Sequence, residues 1–368
     1  MINFIKRSMD GLLGRGEAAI SVPPMDGPLK SNQLIENAEI VAEFVDAEDL
    51  ASDGTSLWIA NGRAIMRLSA NGSLTEEARF TARVTAICVL PGGGIAAAVN
   101  GENLHFLNTL GWCNGPRSVA GRPLACVTAL AASAAGDLFA TDSSAHNSPD
   151  LWARDLMQHG RSGRVCKLSM SGSDDVQLGA ELGFPFGAVN RNDELWVAES
   201  WKHRIVALDK RRQMHRPRVV LDRLPGYPSR ISAASNGGVW LTMFALRTRL
   251  VEFVLQQREY RDRMMKEIDP RYWIAPALSS GSSFLEPMQG GSVKQLGIMK
   301  PWAPPRSYGL VVRLGSDGLP MYSMHSRSDG SNHGIVAAVE AGGFLYMLSK
   351  GAGRLLRVSL NNLDGDCA

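Results

Sequence analysis

The sequence predicts an all-β protein, a six-bladed β-propeller with four-stranded blades, and two observations lead to this prediction. First, 368 residues with 45% hydrophobic and 20% charged content can bury an ordinary core, which argues against disorder and against membrane embedding. Second, one sequence unit recurs six times along the chain, and repeats of roughly 40 to 50 residues are typical of propellers and solenoids.

The repeated unit is a short apolar strand after Gly or Asp, a polar turn, and a second strand that ends in an apolar-basic-apolar pattern. Its first strand occurs six times, as SLWIAN, GIAAAV, GDLFATD, ELWVAES, GGVWLTMF and GGFLYMLS. One more short strand precedes each unit, for example VTAICVL, and another follows it, for example RPRVVLDRL. Four strands in each of six units describe antiparallel blades around a central channel.

The two ends of the repeat predict how the ring closes. The last unit has no fourth strand after Val358, whereas the strand-like segment AEIVAEF, from Ala38, precedes the first blade. We therefore expect the N-terminal strand to complete blade six. This divides the chain into an N-terminal extension, residues 1–21, and a propeller, residues 22–368, with an insertion at about 245–307.

Two loops between second and third strands are long, and both lie on the face where the inner strands begin. They are residues 143–161 in blade three and about 245–307 in blade five. The second loop contains FVLQQREYRDRMMKEID, in which Val254, Tyr260, Met264 and Ile268 recur near helical spacing. Long insertions in compact domains are commonly functional. This one is either a helical lid over the channel or a brace packed on the rim.

Charge and cysteine content restrict the class of partner and the compartment. Thirty-nine basic residues against 36 acidic ones leave a net charge of +3, a weak footprint for nucleic acid. The 5 cysteines include no C-x-x-C pair, which argues against a disulfide framework or structural zinc and favours a reducing compartment. No apolar run is long enough to span a bilayer, and the N-terminus lacks a signal-peptide core. We expect a cytoplasmic protein with a small-molecule ligand, and its oligomeric state stays open.

Several motifs in a fixed order resemble a known family. They are PPMDGPLKSNQ, AEDLASDG, GRPL, TDSSAHN, GFPFGAV, VAES, LPGYPSR and GGVWL, between about residues 22 and 360. Together they resemble the strictosidine-synthase-like propellers, which include adipocyte plasma membrane-associated protein-like members. The wider superfamily contains gluconolactonases, paraoxonase-type lactonases and an alkaloid-forming synthase. The resemblance therefore implies the propeller fold and leaves the chemistry open.

The resemblance also implies a calcium position at the channel mouth, formed by Glu, Asn and Asp at the starts of the inner strands. Glu48 and Asp49 match its first acidic position. The other positions hold residues unsuited to calcium, which takes about six to eight oxygen ligands. These residues are Val127 with Thr128, Phe186, and Ser229 with Arg230. We expect no calcium and no other cofactor, and we expect Arg230 to supply the missing positive charge to Glu48 or Asp49 unless it points to solvent.

The alkaloid-forming synthase is understood to use a Glu at the start of its sixth inner strand. The matching stretch here is HGIVAAVE, which places Gly334, Ile335 or Val336 at that position. None of these side chains can transfer a proton. The sequence thus argues against a strictosidine-type condensation.

Titratable residues remain at the predicted mouth. A carboxylate near a histidine can perform acid-base hydrolysis, because histidine titrates near neutral pH. The candidate catalytic residues are Glu48, His146 and Asp142, and the candidate substrate-binding residues are Asp49, Phe186, Glu199, Trp201, Arg230 and His333. For Asp142 a turn-capping role competes with catalysis. His203, beside Lys202, is interpreted as a solvated loop residue.

Three functions follow from these residues. The leading hypothesis is a hydrolase that cleaves an ester, a lactone or a similar bond at the channel mouth without calcium. The second is a non-catalytic propeller that binds a small ligand or a partner. The third is a carbon-nitrogen condensing enzyme, which follows the family resemblance but lacks the proton-transferring Glu.

Overall fold

The computed structural model describes residues 21–108, 111–169, 175–287, 294–295, 298–299 and 306–366. It contains six four-stranded antiparallel sheets, each ordered from an inner to an outer strand, and the predicted six-bladed propeller is therefore confirmed. Blade one consists of Ala47–Ser52, Leu57–Asn61, Ala64–Leu68 and Leu74–Arg79. Blade two consists of Val84–Val89, Ile95–Val99, Asn103–Asn108 and Gly111–Asn114.

The remaining blades follow in chain order. Blade three consists of Val127–Ala132, Leu138–Asp142, Gly163–Leu168 and Val176–Leu182. Blade four consists of Pro185–Arg191, Glu194–Glu199, Arg204–Asp209 and Arg218–Leu221. Blade five consists of Gly226–Ala233, Val239–Leu246, Leu310–Leu314 and Pro320–His325. Blade six takes Ile335–Ala341, Phe344–Ser349 and Arg354–Ser359 from the C-terminal part and Glu39–Glu43 from the N-terminal part. Two short ladders, Ser118–Val119 with Arg122–Pro123 and Lys294–Gln295 with Ile298–Met299, complete the strands.

Burial explains the difference between inner and outer strands. The second strand of blade two, IAAAV, is buried at every position, because neighbouring blades cover both of its faces. The outer strand of blade one, LTEEAR, is mostly exposed and carries charges. Small and apolar residues thus surround the channel, and polar residues cover the circumference.

Ring closure occurs as predicted. Glu39–Glu43 pairs antiparallel with Arg354–Ser359, and Ile40 lies opposite Leu356. The guanidinium of Arg357 donates to both carboxylate oxygens of Glu39 at 2.8 Å. Because the closing strand comes from the other end of the propeller, it removes the open edge of blade six.

Four α-helices lie outside the sheets of the described part of the chain. They are α1 (Trp152–Met157), α2 (Arg249–Gln256), α3 (Arg258–Glu267) and α4 (Leu360–Asp366). Short 3-10 turns occur at Gly27–Leu29, Pro149–Leu151, Ser200–Lys202 and Pro270–Tyr272. Within the described ranges, no helix is long and apolar enough to cross a membrane.

The helical part of the blade-five insertion consists of two helices, whereas the spacing of apolar residues in the sequence indicated one continuous helical stretch. α2 begins after Thr248, whose hydroxyl accepts from the amide of Val251. Val254 and Met264 are buried, whereas Tyr260 is 49% exposed and Ile268 is 45% exposed. The four apolar residues do not share one buried face because the chain turns at Gln257, between α2 and α3.

These helices pack on the face where the inner strands begin. One apolar cluster joins residues of α1, α2, α3 and the insertion to residues of blades five and six. It includes Leu156, Met157, Val251, Val254, Met264, Trp273, Tyr227, Phe244 and Leu348. The mouth of the channel is therefore roofed by side chains from outside the blades.

Candidate functional site at the propeller mouth

A common backbone feature directs side chains into the mouth. Each of the six inner strands has a register irregularity near its first residues, for example between Ala47 and Asp49 and between Pro228 and Ile231. Bulges turn a side chain out of the regular alternation, which is why they occur near functional sites. Glu48 and Arg230 lie at two of these bulges, and both are buried.

Arg230 lies inside the channel and contacts the acidic pair. Its Nε is 2.8 Å from Oδ1 of Asp49, and its nearest terminal nitrogen is 4.0 Å from Oε1 of Glu48. The same terminal nitrogen donates to the carbonyls of Thr85 at 2.9 Å and Thr128 at 2.8 Å. One guanidinium thus contacts blades one, two and three from blade five.

The position of Arg230 is set by its neighbours in blade four. The guanidinium carbon lies 5.1 Å from the centre of the Phe186 ring, a cation–π distance. A Cβ at Gly187 would lie 2.6 Å from the Cα of Arg230, so a glycine is needed for the two backbones to approach. Phe186 therefore supports the guanidinium.

Lys350 is a site residue that the sequence analysis missed. Its Nζ donates to Oε2 of Glu48 at 2.5 Å, and it directly follows the second strand of blade six. Second strands end on the same face as inner strands begin, so this position in the repeat could have revealed it. With Lys350 and Arg230 opposite Glu48 and Asp49, two cations balance two carboxylates.

Burial and these cations shift the pKa of the two carboxyl groups in opposite directions. For Glu48, desolvation acts to raise the pKa, but Lys350 and Arg230 outweigh it and hold the pKa below its ordinary value. For Asp49, desolvation outweighs Arg230 and the amides of Ile87 and Leu50, and raises the pKa to about 6. Both carboxyl groups are therefore ionised at neutral pH.

The residues at the mouth do not fit a calcium ion. The guanidinium of Arg230 and the ring of Phe186 stand where the resemblance implies oxygen ligands, and Arg230 already contacts Asp49 at 2.8 Å. Among the described residues, no group of three or more His, Cys, Asp or Glu side chains is arranged to hold a metal. Calcium takes about six to eight oxygen ligands, and Arg230 and Phe186 supply none at the positions they occupy.

The mouth encloses a cavity of only about 20 Å³. Its polar lining is Glu48, Lys350, Thr85 and Thr128, and its apolar lining is Pro149, Trp152, Phe184, Phe186, Phe244, Leu278 and Val336. This volume accommodates about one water molecule. Beyond Asp49 and Arg230 the channel widens into a cavity of about 330 Å³ lined mainly by small and apolar residues.

Three residues from outside the blades, Pro149, Trp152 and Leu278, cover the mouth. Trp152 begins α1, and Leu278 belongs to the insertion after α3. The backbone of Leu278 rests on blade six, where a Cβ at Gly334 would lie 2.7 Å from the Leu278 carbonyl oxygen. Gly334 also has a φ of +65°. The sequence analysis noted Gly334 only for its lack of an acid-base group, and here it admits the covering segment.

The structure places Asp142 and His146 away from the mouth cavity, and neither lines it. Asp142 is fully buried, forms an ion pair with Arg164 at 2.8 Å and accepts from the amide of Cys126 at 2.8 Å. Arg164 in turn donates to the carbonyls of Val119 and Pro123. Asp142 thus joins blade three to a neighbouring hairpin, while His146 is exposed on its loop.

Glu199 and Trp201 stand beside the mouth, and neither lines its cavity. Glu199 is fully buried and pairs with Lys202 at 2.9 Å and Arg204 at 2.6 Å. Trp201 donates from Nε1 to Asp155 at 2.7 Å and stacks on Phe184 at a centroid distance of 4.6 Å. Phe184 does line the cavity, so Trp201 forms the layer behind its wall.

His333 and His203 are both buried. His333 is hydrogen-bonded through Nδ1 to the Ser307 hydroxyl at 2.7 Å, and burial lowers its pKa. It does not line the mouth cavity. His203, interpreted from the sequence as solvated, is buried instead, and Nε2 lies 3.6 Å from Glu252 of α2. The insertion covers His203, which the local sequence does not indicate.

Comparison with known proteins identifies the fold and not the activity. No family model matches the chain, and no curated protein matches its sequence. A gluconolactonase from Xanthomonas campestris has a similar structure, with a TM-score of 0.57 and 14% identity over 92% of this chain and 96% of that one. A structural-genomics target described as a candidate gluconolactonase gives a TM-score of 0.56 and 13% identity over 88% and 91%. A luciferin-regenerating enzyme gives 0.51 and 11% over 89% and 94%.

At these low sequence identities the similarity establishes the fold and does not establish the activity. The strictosidine-synthase-like resemblance has no matching family model, and the solved structures show only that the chain shares their fold over most of its length.

Proposed function

We propose that this chain is a metal-independent hydrolase that cleaves a lactone or an ester of a small molecule at the propeller mouth. The observation that supports the proposal is the Glu48–Lys350 pair, at 2.5 Å, on the wall of the mouth cavity. Arg230 stands behind this pair as a fixed positive charge. The gluconolactonase-type structures with the same architecture agree with a lactone or ester as the substrate class.

Hydrolysis of an ester needs a base for water and a positive charge for the oxyanion. In the proposed reaction, water attacks the carbonyl carbon, its proton passes to Glu48, and the carbonyl electron pair moves onto oxygen. Lys350 donates to that oxyanion. The intermediate then collapses, the bond to the alcohol oxygen breaks, and the leaving oxygen takes the proton from Glu48. The products are a carboxylic acid and an alcohol, which remain one molecule if the substrate is a lactone.

Substrate entry requires the cover to move. A cavity of about 20 Å³ holds water and excludes any lactone. Trp152 and Leu278, which cover it, both belong to segments outside the blades. Displacement of such segments is the usual way in which a covered site admits its substrate.

The tight cover also favours a second candidate, a non-catalytic propeller that binds a ligand or partner. The helices of the cover bury Val251, Val254 and Met264 in the same cluster as the blade residues Tyr227 and Phe244. If this packing does not open, the Glu48–Lys350 pair serves only stability.

An assay with a panel of γ- and δ-lactones and 4-nitrophenyl esters separates the two candidates. We expect turnover that EDTA does not reduce, and a loss of about 100-fold or more in Glu48→Gln. The matched control is Glu77→Gln, a partly exposed carboxylate of blade one that should keep full activity. Leu278→Ala shortens the cover and should raise kcat/KM.

The proposal fails if neither the natural chain nor Leu278→Ala turns over any member of the panel. Activity that EDTA abolishes and calcium restores would refute its metal-independent part.

A further inference from the structure

A second cavity, of about 360 Å³, lies beside the cover and apart from the mouth. Five segments from blades three, four and five form it. They are residues 156–161 at the end of α1, Gly183 before blade four, residues 201–204 around the turn of blade four, residues 222–223, and residues 247–256 at α2. Its volume is that of a site for a small organic molecule. No residue of the mouth cavity lines it.

Positive charge is concentrated in this cavity. Its cationic lining residues are Arg161, Lys202, Arg204, Arg223 and Arg247, and its carboxylates are Asp222 and Glu252. Glu199 and Asp155 lie directly behind the wall, so that five cations meet four carboxylates. His203 adds none at neutral pH, because burial lowers its pKa to about 4.

The ion pairs within the cavity leave part of this charge uncompensated. Lys202 and Arg204 share one carboxylate, Glu199, at 2.9 and 2.6 Å. Arg247 is paired with Glu252 at 3.0 Å, and Arg223 is exposed at the rim. A carboxylate or phosphate group between Lys202 and Arg223 would gain charge-assisted hydrogen bonds.

An aromatic wall gives the cavity an apolar side. The indole of Trp201 is held in place by its 2.7 Å hydrogen bond to Asp155 and by stacking on Phe184 at 4.6 Å. Leu156 and Leu255 lie on the same lining. A fixed ring beside basic groups suits a ligand with an apolar body and an anionic end.

The backbone of the cavity is unusual as well. Of the nine non-glycine residues with positive φ in the described part of the chain, three line this cavity: His159, His203 and Arg223, with φ of 55°, 49° and 54°. Residues with a Cβ seldom adopt this conformation, and where they do the surrounding structure maintains it, often at a functional site.

We propose that this cavity binds a small organic anion, a carboxylate or a phosphate ester, whose charged group contacts Lys202 and Arg223 and whose body packs on Trp201. This site is separate from the hydrolytic mouth and does not depend on the activity proposed there.

Titration calorimetry on the full chain with defined probes tests the proposal. Phenyl phosphate and benzoate should bind, and the tighter of the two identifies the preferred anion. Benzyl alcohol, which has the ring without the charge, and inorganic phosphate, which has the charge without the ring, should each bind at least about tenfold more weakly.

The variants Lys202→Met and Arg223→Asn examine the basic groups. Glu199 keeps Arg204 and the amide of Gly183 as partners when Lys202 is replaced, so the fold should persist. Asn is chosen for Arg223 because it tolerates positive φ. Each change should weaken anion binding about tenfold, and Trp201→Phe should weaken phenyl phosphate more than inorganic phosphate.

Arg211→Gln is the matched control, because this arginine belongs to the same blade, is 79% exposed and lies outside the cavity. Circular dichroism and the melting temperature verify that each variant is folded. The proposal is overturned if neither organic anion binds, if benzyl alcohol binds as tightly as benzoate, or if Lys202→Met and Arg211→Gln bind alike.

Discussion

Replacing Arg230 by Met tests whether a guanidinium holds the acidic pair of the mouth together. Met keeps most of the apolar length of the side chain and removes its charge. Asp49 would lose a cation at 2.8 Å, Glu48 would lose one at 4.0 Å, and two carbonyls would lose their donor. Removing one partner of a buried ion pair costs about 3 to 5 kcal/mol, and we expect a loss of unfolding free energy in this range.

A second substitution locates the partner of Arg230. Asp49 is the nearer carboxylate, and Glu48 retains Lys350 at 2.5 Å. Adding Asp49→Asn to Arg230→Met should therefore recover about 1 to 3 kcal/mol, because contacting residues are not additive. Adding Glu48→Gln should recover less. The sequence places both carboxylates within reach of Arg230 and favours Glu48 as the one whose removal compensates, and the contact distances reverse that order.

Urea unfolding followed by tryptophan fluorescence, together with melting temperatures, measures these losses. Arg79→Met serves as the control, because Arg79 is 63% exposed and pairs with Glu76 on the surface. That pair should contribute little to stability, because solvent and salt screen it. Equal losses for Arg230→Met and Arg79→Met, additive double variants, or a melting temperature of the natural chain that rises strongly with calcium would refute the argument.

Three further predictions concern closure, cover and pH. Deleting residues 1–45 removes Glu39–Glu43 from blade six and should abolish soluble expression, so a stable monodisperse product would contradict the ring closure. Replacing residues 249–267 by a short linker removes six residues that are at least 91% buried, four of them apolar, and the melting temperature should fall; unchanged melting with altered ligand affinity would identify a simple lid. Burial lowers the pKa of both His203 and His325 to about 4, so the unfolded chain takes up protons at a higher pH than the folded chain. Stability should therefore decrease as pH falls from about 6.5 to 4. The raised pKa of Asp49 acts in the opposite direction. His325→Gln should flatten this decrease in urea midpoints measured across that range, and an unchanged slope would contradict the assignment.

The sequence by itself determined the ring of blades and its closure. Strand and turn signals are local, and a repeated unit such as ELWVAES requires only its own alternation and its flanking turns to form. The segment that begins at Ala38 has no blade of its own, and blade six has no fourth strand after Val358. The sequence therefore predicted that the two would pair. Even the position of Arg230 followed from the repeat, because the starts of inner strands converge on the channel.

Only the tertiary structure decided which side chains meet. Lys350 and Glu48 are 302 positions apart, and no local pattern joins them. Asp142 is taken by Arg164, and His203 is covered by α2, because insertions pack where the repeat alone shows open loops. The cavity proposed to bind an anion is formed by five segments from three blades. No single segment contains all of its basic residues, and they lie close together only because packing brings the segments together.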